Sequence, residues 1–203
     1  MEGDSSSNSR TREIGVRKGE IRDAALTLFS DRGYYGTGME HIASAVGLAP
    51  SSLYNHWKSK QDLLQDIMEA TLQELLAAFD VATRDAQTPA DALRAAMDAH
   101  VRYHATHNRD ARVGNREISS LASDARERVR ATRREYAASW RQLIAQGVSD
   151  GQFDDVSPEL AANALLEMGI GVSQWFKSTG SLPLDRIASE YAEMALRLVG
   201  YRT

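Results

Sequence analysis

The chain has 203 residues, 42% of them apolar and 26% charged, with four prolines, no cysteine and a formal net charge of −4. That apolar content excludes wholesale disorder and suffices for one or two packed domains, while the missing cysteine excludes disulfides, zinc ribbons, thiolate catalysis and iron–sulfur clusters. No apolar run approaches the roughly 18 residues of a membrane span, and the opening MEGDSSSNSR lacks the apolar centre of a signal peptide, so a cytoplasmic protein with no membrane partner is expected.

In chain order, residues 1–12 are Ser-rich and aperiodic and read as a flexible tail, either inert or lending Arg10 and Arg12 to phosphates. Beyond them the apolar spacing is helical and no stretch alternates as a half-buried strand does, which predicts an all-α fold. The expected helices are 15–32, 38–45, 50–57, 60–82, 89–107, 109–120, 123–149, 158–178 and 184–200. Prolines mark their starts: Thr88-Pro89 and Ser157-Pro158 pair a capping hydroxyl with proline at the first helical position, and Pro50 and Pro183 sit comparably. Thr37 with Glu40, and Ser59 with Asp62, have the spacing of capping boxes.

Residues 10–60 carry eight Lys/Arg against five acids, a local +3 inside an acidic chain, as suits a small DNA reader joined to a larger ligand or partner domain. Within them lies GYYGTGMEHIASAVGLAPSSLYNHWKSKQDLL (residues 33–64). A helix-turn-helix needs a small residue where its helices touch, a turn residue tolerating positive φ, and apolar residues locking the pair. Ala43 and Gly47 fill the first two roles, and Ile42, Val46, Leu48 and Leu53 the third; the preceding helix offers Ile21, Ala25, Leu28 and Phe29 as a cover. Pro50 opens the second helix, which places Ala49, Pro50, Ser51 and Ser52 where base edges are met. Asn55 has the groups to pair with adenine, and Thr37, Tyr54, His56, Lys58 and Lys60 carry donors for phosphate oxygens; Tyr54 and Trp57 serve equally well as core, and His56 as a solvated cap.

Gly33, Tyr34, Thr37, Ile42, Ala43, Gly47, Ser52, Leu53, Tyr54, His56, Ser59, Lys60 and Leu63 together resemble the N-terminal domain of the TetR family of transcriptional regulators over residues 15–65. The chain departs from that pattern at His41 (usually Asp), Ala49 (usually a Ser N-cap), Ser51 (usually Gly or Ala) and Trp57 (usually Phe). The resemblance implies a helix-turn-helix DNA-binding domain (13–60) followed by a ligand-binding and dimerisation domain (61–203). It also implies double-stranded DNA as partner, repression as the sign of regulation, and a ligand-driven tilt of helix 60–82 that respaces two recognition helices.

That helix, with Leu63, Leu64, Ile67, Met68, Leu72, Leu75, Leu76 and Phe79, runs about six turns, either as a stiff lever or simply as a core element. Helix 89–107 sets His100, His104 and His107 on one face with Leu93, Ala96 and Met97. Pocket-lining and ordinary core roles fit these histidines better than a metal site, because no carboxylate shares the stripe. Residues 109–141 contain nine arginines against five acids. Arg126 and Arg133 flank the apolar face Val129, Tyr136, Trp140 and Leu143, so that, with Arg116, they are candidates to hold an anionic ligand beside an apolar cavity.

Helix 158–178, including Met168 and Trp175, is apolar almost all round, and helix 184–200 has a wide apolar arc. Two of each would form a four-helix bundle, which predicts a twofold homodimer on a palindromic operator. Gly114, Arg116, Glu117, the GQF at 151–153, Trp175 and Tyr191 are also similar, more loosely, to TetR-type members answering to CoA thioesters, which implies a small hydrophobic or acyl-CoA-like effector. The ligand-lining set is therefore Met97, His100, His104, Arg116, Arg126, Arg133, Tyr136, Trp140, Met168 and Trp175, with no cofactor and no metal. Two alternatives stay open: a DNA-binding dimer without an effector, and a helical-bundle enzyme using the histidine stripe. The second lacks HExxH, Glu-x-x-His pairs, a nucleophile elbow and a phosphate loop.

Overall fold

The structure is a computed structural model that describes the backbone of residues 4–201 and the side chains of residues 17–201. Among the described residues it is all-α: α1 (Asp4–Arg32), α2 (Met39–Ala45), α3 (Pro50–Tyr54), α4 (Lys60–Thr83), α5 (Pro89–Thr106), α6 (Asn108–Arg116), a 3-10 turn (Ile118–Ser120), α7 (Ser123–Ser149), α8 (Pro158–Trp175) and α9 (Leu184–Leu198). The backbone is helical from Asp4, well ahead of the expected start at residue 15. Residues 1–3, and the side chains of Arg10 and Arg12 that the tail reading invoked, lie outside the described residues.

Local chemistry accounts for most boundaries. Thr88 and Ser157 accept at Oγ from the backbone N–H of Asp91 (3.1 Å) and Leu160 (3.4 Å), each followed by proline in the first turn, and Ser59 Oγ accepts from Asp62 N–H at 3.1 Å. The expected Thr37–Glu40 box does not form. Gly38 is the N-cap of α2, and His41 Nδ1 accepts the Gly38 N–H at 3.1 Å, while the Thr37 hydroxyl donates into the preceding turn, to the carbonyls of Gly33 and Leu28.

Three helices end three or more residues earlier than expected. α3 ends at Tyr54, where the Leu53 carbonyl accepts from both His56 and Trp57 N–H and swings the indole inward. The helix expected over 109–120 breaks after Arg116, close behind the weak helix formers Gly114 and Asn115. α8 stops at Trp175 because Phe176 is extended, at φ −63°, ψ 136°.

The chain divides into two compact units: residues up to Met68 together with Arg112–Arg126, and Glu69–Ala111 together with the residues from Glu127 on. In the first, Ile21, Ala25 and Phe29 of α1 join Ile42 and Ala43 of α2, Leu53 of α3 and Leu63, Leu64 and Ile67 of α4 in a fully buried core. Gly47 adopts φ +65° in the α2–α3 turn, as the turn requires. Asp66 fastens the set by accepting from Trp57 Nε1 and Arg22 Nε, both at 2.8 Å.

In the second unit, α5 is packed by α8 and α9. Leu93, Met97 and Val101 are buried with Leu165 and Val172 of α8 and with Ala188, Ala192 and Ala195 of α9, whose small residues let helices approach closely. Arg102 of α5 reaches Asp98 at 2.6 Å and Asp185 of α9 at 2.5 Å.

Candidate functional site

In the first unit, α2, the Gly47 turn and α3 form a helix-turn-helix whose outer face is polar. Ser51, Asn55 and Lys58 are exposed, Tyr54 is 50% exposed, Pro50 is exposed at the first helical position, and Ser52 and His56 are half-buried. The His56 ring lies 5.6 Å from that of Trp57. This is the face that short-side-chain base contacts and phosphate contacts require.

Two residues expected to contact phosphate are engaged elsewhere. Thr37 is buried, with its hydroxyl committed to two backbone carbonyls. Lys60 is half-buried, and its ammonium donates to the carbonyls of Tyr34 (2.8 Å) and Thr37 (2.7 Å) while lying 4.2 Å from the centre of the Tyr34 ring. Both side chains brace the turn that leads into α2. The reason is chain geometry: the α1–α2 turn has its carbonyls facing the start of α4, and an ammonium satisfies them. Tyr35, which no expected contact includes, projects at 82% exposure from that same turn; its one signal in the sequence is an aromatic outside the helical apolar spacing.

The second unit contains a buried polar cluster. His100, on α5, is wedged between α7 and α8: its Nε2 lies 3.1 Å from the Leu166 carbonyl and its Nδ1 2.9 Å from the Tyr136 hydroxyl. A carbonyl only accepts, so Nε2 carries the proton and Tyr136 donates to Nδ1. Gly169 makes this approach possible, since a Cβ there would collide with the imidazole. The His104 ring packs edge-on against His100 at 4.5 Å, and the Trp140 ring lies 5.4 Å from that of His100. Neither ring nitrogen of His104 has a hydrogen-bond partner, although both are buried, while the indole of the fully buried Trp140 bears on the Tyr136 hydroxyl.

Burial drives both histidines toward the neutral form. It pushes His100 down to about 4, and His104 down to about 3, with the like charges of His100 and His107 adding to the second. His107 lies apart from this core: it is exposed and stacks on Tyr103 at 4.3 Å. Among the described residues no three metal-ligating side chains come together.

Of the remaining expected ligand residues, Met97 is fully buried on α5 and Met168 half-buried on α8. Arg133 of α7 is half-buried, its guanidinium pulled below the usual arginine range by burial and opposed by the charge of Glu167. Trp175 is 46% exposed at the end of α8, and Arg116 and Arg126 belong to the first unit. Outward-facing Arg134 pairs with Glu127 at 2.7 Å. On α8 and α9, Leu160, Trp175, Met194 and Leu198 are exposed apolar residues. No helix among the described residues is long and apolar enough to cross a membrane.

Comparison with known proteins gives two family matches: "Bacterial regulatory proteins, tetR family" over residues 21–67, and "Tetracyclin repressor-like, C-terminal domain" over residues 86–199. The chain is 27% identical over 183 residues to the HTH-type transcriptional repressor KstR2 of Rhodococcus jostii, covering 89% of each chain. Among solved structures it is similar to a bacterial regulatory protein of the tetR family from Rhodococcus RHA1, at 33% identity and a TM-score of 0.84, over 92% of this chain and 98% of that one. It is also similar to AibR in complex with isovaleryl coenzyme A and operator DNA, at 26% identity and a TM-score of 0.80, over 92% and 100% of the two chains.

Proposed function

The chain belongs to the TetR family of bacterial regulatory proteins, and from that premise we propose that it is a homodimeric repressor, released from a palindromic operator when a small hydrophobic or acyl-CoA-like effector binds its second unit. The observation that carries the DNA half is the exposed row Ser51, Tyr54, Asn55 and Lys58 beyond the Gly47 turn, backed by a buried core that α1 to α4 share. These residues are the proposed contacts, with Ser52 and His56 beside them, and Lys58 supplies charge to the phosphates.

The effector half is supported by the cluster of His100, His104, Tyr136 and Trp140. The two buried ring nitrogens of His104 without partners are costly in a solid core, by about 1–3 kcal/mol each, and that cost is relieved when a bound molecule supplies partners. Met97 and Met168 offer adaptable apolar walls and Arg133 a cation for an anionic end. Similarity to AibR, whose structure holds isovaleryl coenzyme A and operator DNA, supports the acyl-CoA class. The exposed apolar residues of α8 and α9 support the dimer, which in turn sets half-sites about one helical turn apart.

Release by about 100-fold requires about 2.7 kcal/mol of preference for the DNA-incompetent state, well within what one ligand supplies. The test is a selection of operators from random duplexes, followed by fluorescence anisotropy with and without isovaleryl coenzyme A and longer acyl-CoAs. A twofold-symmetric consensus with acyl-CoA-dependent release is the expected result. A symmetric consensus indifferent to every acyl-CoA removes that effector class, and no consensus removes the repressor.

A further inference from the structure

Glu117 is 8% exposed, far from any helix-turn-helix residue in sequence, and nothing in its role as a surface helix residue accounts for its burial. It stands just past the end of α6, at φ −103°, ψ 5°, where the expected helix breaks. One carboxylate oxygen accepts the Tyr34 backbone N–H at 3.3 Å, and the other accepts the Ser120 hydroxyl at 2.9 Å. The next peptide along is gripped as well, because the Tyr34 carbonyl accepts from Lys60 Nζ at 2.8 Å.

A second clasp lies beside the first. Gln61 Nε2 donates to the Ser120 carbonyl at 2.5 Å, and Gln61 Oε1 accepts the Ala122 N–H at 3.0 Å. Segment 117–122 is thereby fastened to the turn ahead of α2 and to the first turn of α4, with all these residues in one compact unit. In sequence, however, the segment lies inside the stretch matching the C-terminal family domain, residues 86–199.

Burying a carboxylate on two neutral donors is a poor route to stability, since an apolar residue of like volume avoids the desolvation cost. What the carboxylate provides is geometry. It fixes an N–H in the turn Gly33–Gly38 from which Tyr35 projects and from which α2 starts.

We propose that Glu117 is a positioning residue for DNA binding: by holding the Tyr34 peptide it sets the turn that presents Tyr35 and aims α2 and α3, without touching DNA itself. The proposal rests on the DNA-binding reading above. It makes residues 117–122, rather than the helix-turn-helix alone, part of the operator-binding machinery.

The test compares Glu117→Gln with Glu117→Ala on the selected operator, in the full chain. Glutamine keeps an acceptor for the Tyr34 N–H and gains a donor for Ser120 Oγ, whereas alanine loses both bonds. Thermal melts establish that each variant is folded at the assay temperature; Glu117→Met, of similar length but with no acceptor oxygen, replaces the alanine variant should that one be unfolded. The alanine variant is expected to bind about tenfold more weakly, with an unchanged dependence on salt because no phosphate contact is lost, and with faster hydrogen exchange at the Tyr34 amide. The glutamine variant is expected within about threefold of the wild type.

A folded alanine or methionine variant with wild-type operator affinity overturns the proposal, as does a glutamine variant that loses as much as alanine. Failure of the wild-type chain to select any operator is a different result, which overturns the repressor reading itself. Tyr34 amide protection then judges the clasp, and equal protection in wild type and alanine variant refutes it.

Discussion

The neutral histidine pair makes the second unit sensitive to mild acid in a way that one substitution isolates. Burial depresses the folded pKa of His100 to about 4 and of His104 to about 3. The unfolded values lie near 6.5. Between about pH 6.5 and 4, therefore, the unfolded chain takes up protons that the folded chain refuses, so stability is complete above 6.5 and falls as pH falls. At pH 5.5 each histidine subtracts about 1.4 kcal/mol, and the pair about 3 kcal/mol, a magnitude that depends little on how far below 5 the folded values lie. Asp110, raised by burial, works in the opposite sense and is common to wild type and variant. His104→Leu removes one titrating group and two buried nitrogens without partners. Urea unfolding at pH 8 and pH 5.5 should show the variant losing about half as much stability on acidification as the wild type, and standing about 1 kcal/mol above it at pH 8. Equal acid losses in the two proteins would refute the buried, neutral assignment of His104.

Three further outcomes follow from single contacts. Gly169→Ala forces a methyl into the His100 imidazole and should cost about 1–3 kcal/mol, read by chemical denaturation, with the Tyr136 ultraviolet signal perturbed as its hydrogen bond shifts. Ala49 caps α3 with no side-chain hydrogen bond, so Ala49→Ser should stabilise the first unit by about 1 kcal/mol in thermal unfolding; a lower melting point would mean that the cap position is misassigned. Met194→Glu puts a charge beside the exposed Leu198 of α9 and should shift the proposed dimer to monomer in sedimentation velocity while leaving the helical circular dichroism intact; a wild type that is itself monomeric would refute the dimer.

Helices were legible because their causes are local. Thr88-Pro89 and Ser157-Pro158 carry both the capping hydroxyl and the first-turn proline of α5 and α8, and the apolar spacing of Ile21, Ala25 and Phe29 needs no partner to be recognised. The misread stretches are those where a side chain had a choice of partner. Thr37 has the spacing of a cap, yet its hydroxyl turns to the carbonyls of Leu28 and Gly33, leaving Gly38 and His41 to cap α2. Lys60 has the composition of a phosphate contact, yet it satisfies two carbonyls of the α1–α2 turn. Residue type reports which hydrogen bonds a group can make, and only the fold decides which it does make.

The histidine stripe carries the same lesson one level higher. Spacing alone put His100, His104 and His107 on one face, and that is where their backbone positions lie. Yet a face 18 residues long has two environments. His100 and His104 fall where α7 and α8 close over α5, so they lose water and are held neutral. His107 falls at the helix end, outside that closure, and keeps its exposure. A stripe becomes a site only where a second element covers it, and the covering residues here are Tyr136 and Trp140 of α7 with Gly169 and the Leu166 carbonyl of α8. Gly169 was unremarkable in sequence because its function is to be absent: it supplies the space into which His100 fits, and no periodicity or charge pattern records a missing side chain.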